Sequence, residues 1–319
     1  MYRIGVDLGG TNIAVGLVDE NYKIICKKSA PTHAEREAEF IVADMAKLCL
    51  DVCGEAGVNI NDIVSVGIGT PGAANRDTGV VEYTNNLKFN KFPIGRLLSE
   101  KLGGKKVYIE NDANAAAWGE AIAGVAKGTR NSVMITLGTG VGGGVIIDGK
   151  LYSGFNYAGP ELGHMVIEHN GRQCSCGRKG CWEAYSSATA LINMTKEKIE
   201  KCKAENRQTL MSKISGDESK VSGRTAFDAM RTGDAAAKEV VDTYLQYLVT
   251  GLVNIVNIFQ PEVISLGGGV SNEGQWLIDE ISPEIYRLRY GSGIVEGTKL
   301  CIAKLKNDAG IIGAAVLGI

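Results

Sequence analysis

Ile4-Gly5-Val6-Asp7-Leu8-Gly9-Gly10-Thr11-Asn12-Ile13-Ala14-Val15-Gly16-Leu17-Val18 is the stretch on which the fold turns. Its apolar runs, Ile4 to Val6 and Ile13 to Val18, flank glycines, a hydroxyl and an amide, the pattern of two strands joined by a tight turn. A third strand is expected at Lys23 to Lys28, after the Asp19-Glu20-Asn21 turn, which makes a meander. Beyond it, Ile41, Met45, Leu48 and Val52 recur at helical spacing between Ala34 and Gly54. A strand at Ile63 to Ile68, a helix near Ile94 to Leu102, a strand at Val107 to Ile109 and a helix from Ala113 follow. This alternation predicts an α/β lobe.

The opening is repeated. Val6 to Asn21 laid on Ile135 to Lys150 without gaps matches Leu8 with Leu137, Gly9 with Gly138 and Asp19 with Asp148. The second set has strands at Val133 to Leu137 and Gly143 to Ile147, then a long helix from Ala235 to Phe259 leading into a strand at Val263 to Leu266. Two glycine-rich hairpins can match by chance; read functionally, they are a duplicated pair of phosphate clasps. Glycines expose backbone N–H groups, Thr11 offers a hydroxyl, and Asp7 can hold magnesium through water. Leu137-Gly138-Thr139-Gly140-Val141-Gly142-Gly143-Gly144 offers the same donors. Neither segment carries the lysine of a Walker loop, and a strand follows Gly138 to Gly144 where a dinucleotide fingerprint needs a helix.

The 319 residues exceed one usual domain, so two lobes of about 100 to 200 residues are expected. A net charge of −2 gives no electrostatic reason to expect nucleic acid or an acidic membrane. Met1-Tyr2-Arg3 enters an apolar segment with no signal-peptide pattern, so a cytoplasmic protein is expected. Tyr244 to Phe259 is interrupted by Gln246, Thr250, Asn254 and Asn257 and reads as a buried helix, not a membrane span. The 42 glycines, about 13% against a usual 7%, gather at Gly9-Gly10, Gly138 to Gly144 and Gly267 to Gly269.

His164, Cys174, Cys176 and Cys181 are close in sequence and separated by turn formers, enough chain freedom for one tetrahedral Cys3His site. Zinc is the expected metal, because three thiolates suit a borderline-soft cation and four protein ligands leave no catalytic position open. His169 competes as fourth ligand on spacing alone. Cys26, Cys49, Cys53, Cys202 and Cys301 are isolated and are assigned no chemistry. Asp112 stands at a strand's carboxyl end, where open α/β sheets place ligands. It is a candidate base for a hydroxyl acceptor, although local sequence alone favours a helix cap.

Asp7-Leu8-Gly9-Gly10-Thr11, Leu137 to Gly144 and Leu266-Gly267-Gly268-Gly269-Val270-Ser271 together resemble the ROK family (repressor, open reading frame, kinase), from Ile4 to Asn307-Asp308-Ala309-Gly310 and the final helix. The resemblance implies an actin-like, ribonuclease H-like α/β fold with two lobes around an ATP and sugar cleft. A small lobe would comprise residues 1–112, completed by the helix at 305–319, and a large lobe residues 113–304 with a zinc loop at about 160–184. ATP phosphates would meet Asp7, Gly9, Gly10, Thr11 and Asn12 and Gly138, Thr139 and Gly140, with Gly267, Gly268 and Gly269 by the adenosine.

The zinc pattern of the family favours His164. Glu110-Asn111-Asp112-Ala113-Asn114 matches its catalytic segment, which makes Asp112 the base and Asn111 a sugar ligand. By the same resemblance Glu161, His164 and Glu183 bind sugar, with the metal fixing them indirectly, and Gly72 and Asn86 are further contacts. The segment around Asn86 departs from the Asn-Leu-Pro-Gly-Trp form common in the family. The activity implied is hexose phosphorylation with ATP and Mg2+, glucose to glucose 6-phosphate first among acceptors. Fructose, mannose, allose and N-acylhexosamines are the alternatives. Repressors of the family need a DNA-reading module before the Asp7 segment, which the sequence does not provide. A homodimer or higher homo-oligomer is expected.

Overall fold

The computed structural model describes residues 1–319, Glu218 by its backbone alone. Two compact units divide them: residues 1–134, 143–160 and 303–319, and residues 135–142 and 161–302.

The first unit begins with β1 (Tyr2–Leu8), β2 (Asn12–Val18) and β3 (Ile24–Pro31), a meander as the sequence predicts. β3 is an edge strand: its residues alternate between half-buried and exposed, and Lys27 and Lys28 blunt its edge against pairing with another chain. After α1 (Ala38–Glu55) comes β4 (Ile63–Thr70), then a small sheet of β5 (Ala73–Asn75), β6 (Val80–Tyr83) and β7 (Asn90–Phe92). α2 (Ile94–Lys101), β8 (Val107–Asn111) and α3 (Asp112–Ala123) complete the series. The sheet order is β3-β2-β1-β4-β8, with β1, β4 and β8 mutually parallel.

β4 is almost wholly buried. Ile41, Met45, Leu48 and Val52 of α1 enter the core, the residues picked out by helical spacing. α1 starts at Ala38, four residues later than the periodicity suggests, since His33 takes a left-handed φ of 51° and Glu37 is still extended. α10 (Ala309–Ala315) lies directly on β1 and β4. A Cβ at Gly5 would meet the Ile311 carbonyl oxygen at 1.8 Å, and one at Gly67 the Ala314 oxygen at 1.7 Å, so glycine is what admits this helix.

The later elements are β9 (Ser132–Leu137), β10 (Val141–Ile147), β11 (Lys150–Tyr152), α4 (Glu183–Ser186), α5 (Ala188–Ala204), α6 (Leu210–Ser215), α7 (Thr225–Arg231), α8 (Ala235–Phe259), β12 (Val263–Gly267), α9 (Gln275–Leu288) and β13 (Lys299–Ile302). Their sheet runs β11-β10-β9-β12-β13. Each five-stranded sheet therefore places its strands third, second, first, fourth, fifth, the ribonuclease H-like arrangement, and the duplication expected from the two hairpins is one of whole sheets. β10 begins at Val141, earlier than expected, because its glycines belong to the strand: a Cβ at Gly144 would lie 2.4 Å from that of Ala117 in α3.

α8 keeps its expected bounds, from an Asp234 cap on Ala236 and Ala237 to a left-handed Gln260. No helix among the described residues is long and apolar enough to cross a membrane.

Candidate active site

Strand register assembles the first unit's part. β1 pairs Asp7 with Gly69 of β4, and β4 pairs Gly69 with Glu110 and Thr70 with Asn111 of β8, so three parallel strands end side by side. Asp7 lies on the Gly310 backbone, where a Cβ would come within 2.7 Å of its carboxyl carbon. Burial, then the charge of Asp112, raises the Asp7 pKa from 3.8 to about 6, with Lys27 opposing. Burial likewise raises that of Asp112.

The turn after β1 is held by Gly9 N–H donating to the Asn12 carbonyl (2.9 Å) and by Thr32, whose hydroxyl donates to the Gly9 carbonyl at 2.7 Å. Thr11 and Asn12 are exposed on it, and exposed Asn86 lies beside Gly10, 3.5 Å from where a Cβ would stand.

Asn111, not Asp112, caps α3: its Oδ1 accepts from Ala113 N (2.9 Å) and Asn114 N (3.2 Å). Its Nδ2 donates to the Gly72 carbonyl at 3.1 Å, leaving one amide proton for a ligand. Gly72 has φ +87° and abuts the Tyr83 carbonyl oxygen, 2.0 Å from a built Cβ, so its backbone geometry serves the fold as well as Asn111. Asp112 is the first residue of α3, and its Oδ1 accepts from Ala113 N at 2.8 Å.

In the second unit Gly138-Thr139-Gly140 turns from β9 to β10, with Gly138 N–H bonded to the Gly140 carbonyl (3.0 Å). The start of α5 secures it: Ala188 N donates to the Gly138 carbonyl at 2.8 Å and the Thr189 hydroxyl to that of Thr139 at 2.8 Å. At Gly138 neither a left-handed φ nor any atom within 4 Å demands glycine. At the end of β12, Gly267 leads to Gly268, at φ +83° and packed on the Leu137 backbone, and then to Gly269, which faces open space.

His164, Cys174, Cys176 and Cys181 present ligand atoms within 4.8 Å of one another. His164 Nδ1 is 3.7 Å from Cys174 Sγ, and the sulfurs of Cys176 and Cys181 are 3.6 Å apart. Exposed His169 is outside the group, which resolves the choice that spacing left open. Glu161 precedes the short turn Leu162–His164 and its carbonyl accepts His164 N–H at 3.1 Å. Glu183 opens α4: Oε2 accepts from Val141 N (3.0 Å) and Oε1 from the Ser175 hydroxyl (3.3 Å). One carboxylate thus ties the glycine turn to the cysteine loop, a link between two motifs that the sequence treats separately. Trp182, fully buried, anchors that loop to α8 through an Nε1–H bond to the Tyr247 carbonyl at 3.0 Å.

Sequence reasoning passed over Thr32 and Glu110. A hydroxyl that braces a turn from another strand leaves no local pattern. Glu110 does carry a signal, a carboxylate inside an apolar strand, but the strand was expected to end at Ile109.

A duplicated ribonuclease H-like α/β chain with a glycine turn after the first strand of each sheet belongs to the actin-like class. The chain is a member of the ROK family, matched over residues 3–319. It is 38% identical to a glucokinase of Thermotoga maritima over 98% of this chain and 95% of the relative. It is 35% identical to a Streptomyces coelicolor glucokinase, with 98% and 96% covered. A ROK family glucokinase from Streptomyces griseus, solved in complex with glucose and AMPPNP, superposes with a TM-score of 0.82 at 33% identity and 99% coverage of both chains.

Proposed function

We propose that this chain is an ATP-dependent hexose kinase that phosphorylates the 6-hydroxyl of D-glucose. The observation carrying the reading is Asp112, a half-buried carboxylate at the carboxyl end of β8, relieved of capping by Asn111. Such a group can accept the proton of a primary hydroxyl as its oxygen attacks the γ-phosphorus of ATP. The oxygen–phosphorus bond forms, the bond to the β-phosphate oxygen breaks, ADP leaves, and Asp112 passes the proton to solvent. Its raised pKa suits a base that must hold that proton briefly. The glycine turns at Gly9 to Asn12 and Gly138 to Gly140 offer N–H donors to the phosphates, and Gly267 to Gly269 line the adenosine.

Asn111 and Asp112, with Gly72 and Asn86, are read as sugar-binding residues of the first unit, and Glu161, His164 and Glu183 as sugar-binding residues of the second. Asp7 fits magnesium, held through water: two half-buried carboxylates that repel each other are relieved by a cation. Magnesium held there would supply positive charge to the phosphoryl group in transfer.

The cysteine loop fits zinc, since tetrahedral metal–sulfur bonds of about 2.3 Å set ligands about 3.8 Å apart, close to the 3.6 and 3.7 Å found. All four positions being protein, zinc supplies rigidity. Were His164 Nδ1 to hold the metal, Nε2–H would be left as a donor to a sugar hydroxyl. A cytoplasmic location suits the use of cellular ATP, and the working unit is read as a homodimer or higher homo-oligomer.

A coupled assay over glucose, fructose, mannose, allose and N-acetylhexosamines, run on wild type and Asp112→Asn, tests the reading. Glucose should give the highest kcat/KM. Asp112→Asn should lose about 10²- to 10⁴-fold in kcat with little change in sugar affinity. A variant that keeps most of the wild-type rate at saturating ATP and glucose removes Asp112 from the mechanism.

A further inference from the structure

Glu110 is 0% exposed, one residue before the cap of α3 and two before Asp112. Its Oε1 accepts from Asn111 N (2.9 Å) and from Asn114 Nδ2 (3.1 Å). Its Oε2 accepts from the Ser153 hydroxyl at 2.9 Å, while Arg76 Nη1, the cation facing it, stands off at 3.8 Å. Three neutral donors therefore do most of the work of holding a buried carboxylate. Burying such a charge is expensive, and apolar side chains of similar volume often cost less. What the arrangement provides is geometric. Oε1 holds the backbone N–H of Asn111 and the side chain of Asn114 together, which fixes the bend from strand to helix at the residue before Asp112.

The network continues outward. Asn114, 1% exposed, donates also to the Gly159 carbonyl at 3.1 Å. Tyr157 bonds Asp77 of the β5–β6 turn. The segment from Ser153 to Pro160 is therefore pinned to the first unit at Ser153, Tyr157 and Gly159, and Glu161 follows it immediately in the chain.

We propose that Glu110 is a positioning residue for phosphoryl transfer: its carboxylate locks the β8–α3 junction and the segment Ser153 to Pro160, so that Asn111 and Asp112 face the acceptor sugar in one geometry. The proposal rests on the kinase reading above. A misplacement of about 1 Å in such a group can cost about 10²-fold in rate.

The test compares Glu110→Ala and Glu110→Gln with wild type in steady-state kinetics with ATP and glucose, rates normalised to the folded fraction from circular dichroism. Glutamine keeps an acceptor at Oε1, so Glu110→Gln should retain kcat within about fivefold. Glu110→Ala should lose about 100-fold in kcat and raise KM for glucose several-fold, while KM for ATP stays within about twofold. A merely structural role predicts a lower Tm with wild-type kcat per folded molecule; that result, or equal losses for both substrates, overturns the proposal. If Glu110→Ala does not fold, Asn114→Ala carries the test, alanine being favoured in a helix. The same pattern is expected at about tenfold, and wild-type kinetics there overturns the proposal equally. Wild-type activity in the same assay separates the two readings: an inactive wild type refutes the kinase, an active one with indifferent variants refutes only the role of Glu110.

Discussion

At Asp7 the magnesium role proposed above opposes stability. Its carboxylate is desolvated and repelled by Asp112, which places its folded pKa at about 6 against 3.8. Between those values the folded state holds a proton that the unfolded chain lacks. This group's contribution therefore improves as pH falls through 6 and is complete near 3.8; at neutral pH it costs about 3 kcal/mol. Asp7→Asn should raise the Tm of the magnesium- and nucleotide-free protein by several degrees at pH 7.5, with the gain shrinking toward pH 4, and should abolish turnover. Thermal unfolding at the two pH values checks this, and a Tm no higher than wild type at pH 7.5 contradicts it. Gly138 is the opposite case, a residue whose glycine the fold does not need. Gly138→Ala should leave Tm unchanged or slightly raised, as compatible glycine-to-alanine changes do. It should raise KM for ATP at least about tenfold and leave glucose binding by calorimetry unchanged. A loss of folding in place of a loss of ATP affinity would make it a structural turn.

Among the elements, the loop from Glu161 to Glu183 has the least regular structure for the work assigned to it. Its ligand cluster is local, and its order comes from few backbone bonds, such as Cys174 N to the Arg178 carbonyl (2.9 Å) and Trp182 N to the Met165 carbonyl (2.8 Å). A metal is the natural staple for such a segment. Protein purified without added metal should carry close to one zinc per chain by elemental analysis. The double variant Cys176→Ser/Cys181→Ser should lose it, melt at lower temperature and show a glucose KM raised about 10- to 100-fold, the usual effect of removing an outer support. Metal-free protein that phosphorylates glucose with wild-type constants would rule the staple out. α9 makes the contrasting point about legibility: it runs through Pro283, a breaker set against the helical spacing of Leu277, Ile281 and Ile285. Its buried Leu277, Ile278, Ile281 and Ile285 decide it, which is packing overriding a breaker.

At the scale of the molecule, short-range pattern was enough for the meander at Ile4 to Lys28, the second hairpin, α8 and the three cysteines of the ligand cluster. In each, the partners are close in sequence, and alternation, helical spacing or chain freedom states the geometry directly. The matching strand orders of the two large sheets extend what the two hairpins announced. Other features depend on residues far apart in the chain. Glycine at 5 and 67 has no local reason until α10 lies on it. Asp112 reads as a cap in the sequence, and the bonds of Ala113 N and Asn114 N to Asn111 Oδ1 give that role to its neighbour. Glu110 is a polar residue in an apolar strand until Asn114 and Ser153 meet it in the core. The sequence by itself determined the first meander, the second hairpin and α8, and which chemistry each turn and cluster can offer, because side-chain periodicity and local hydrogen bonding act over a few residues. The tertiary structure alone decided that Asp7, Gly69 and Glu110 share one row, that Asn111 is the cap of α3, and that Glu183 joins two motifs, because strand register and burial are set by packing between segments the local pattern cannot see.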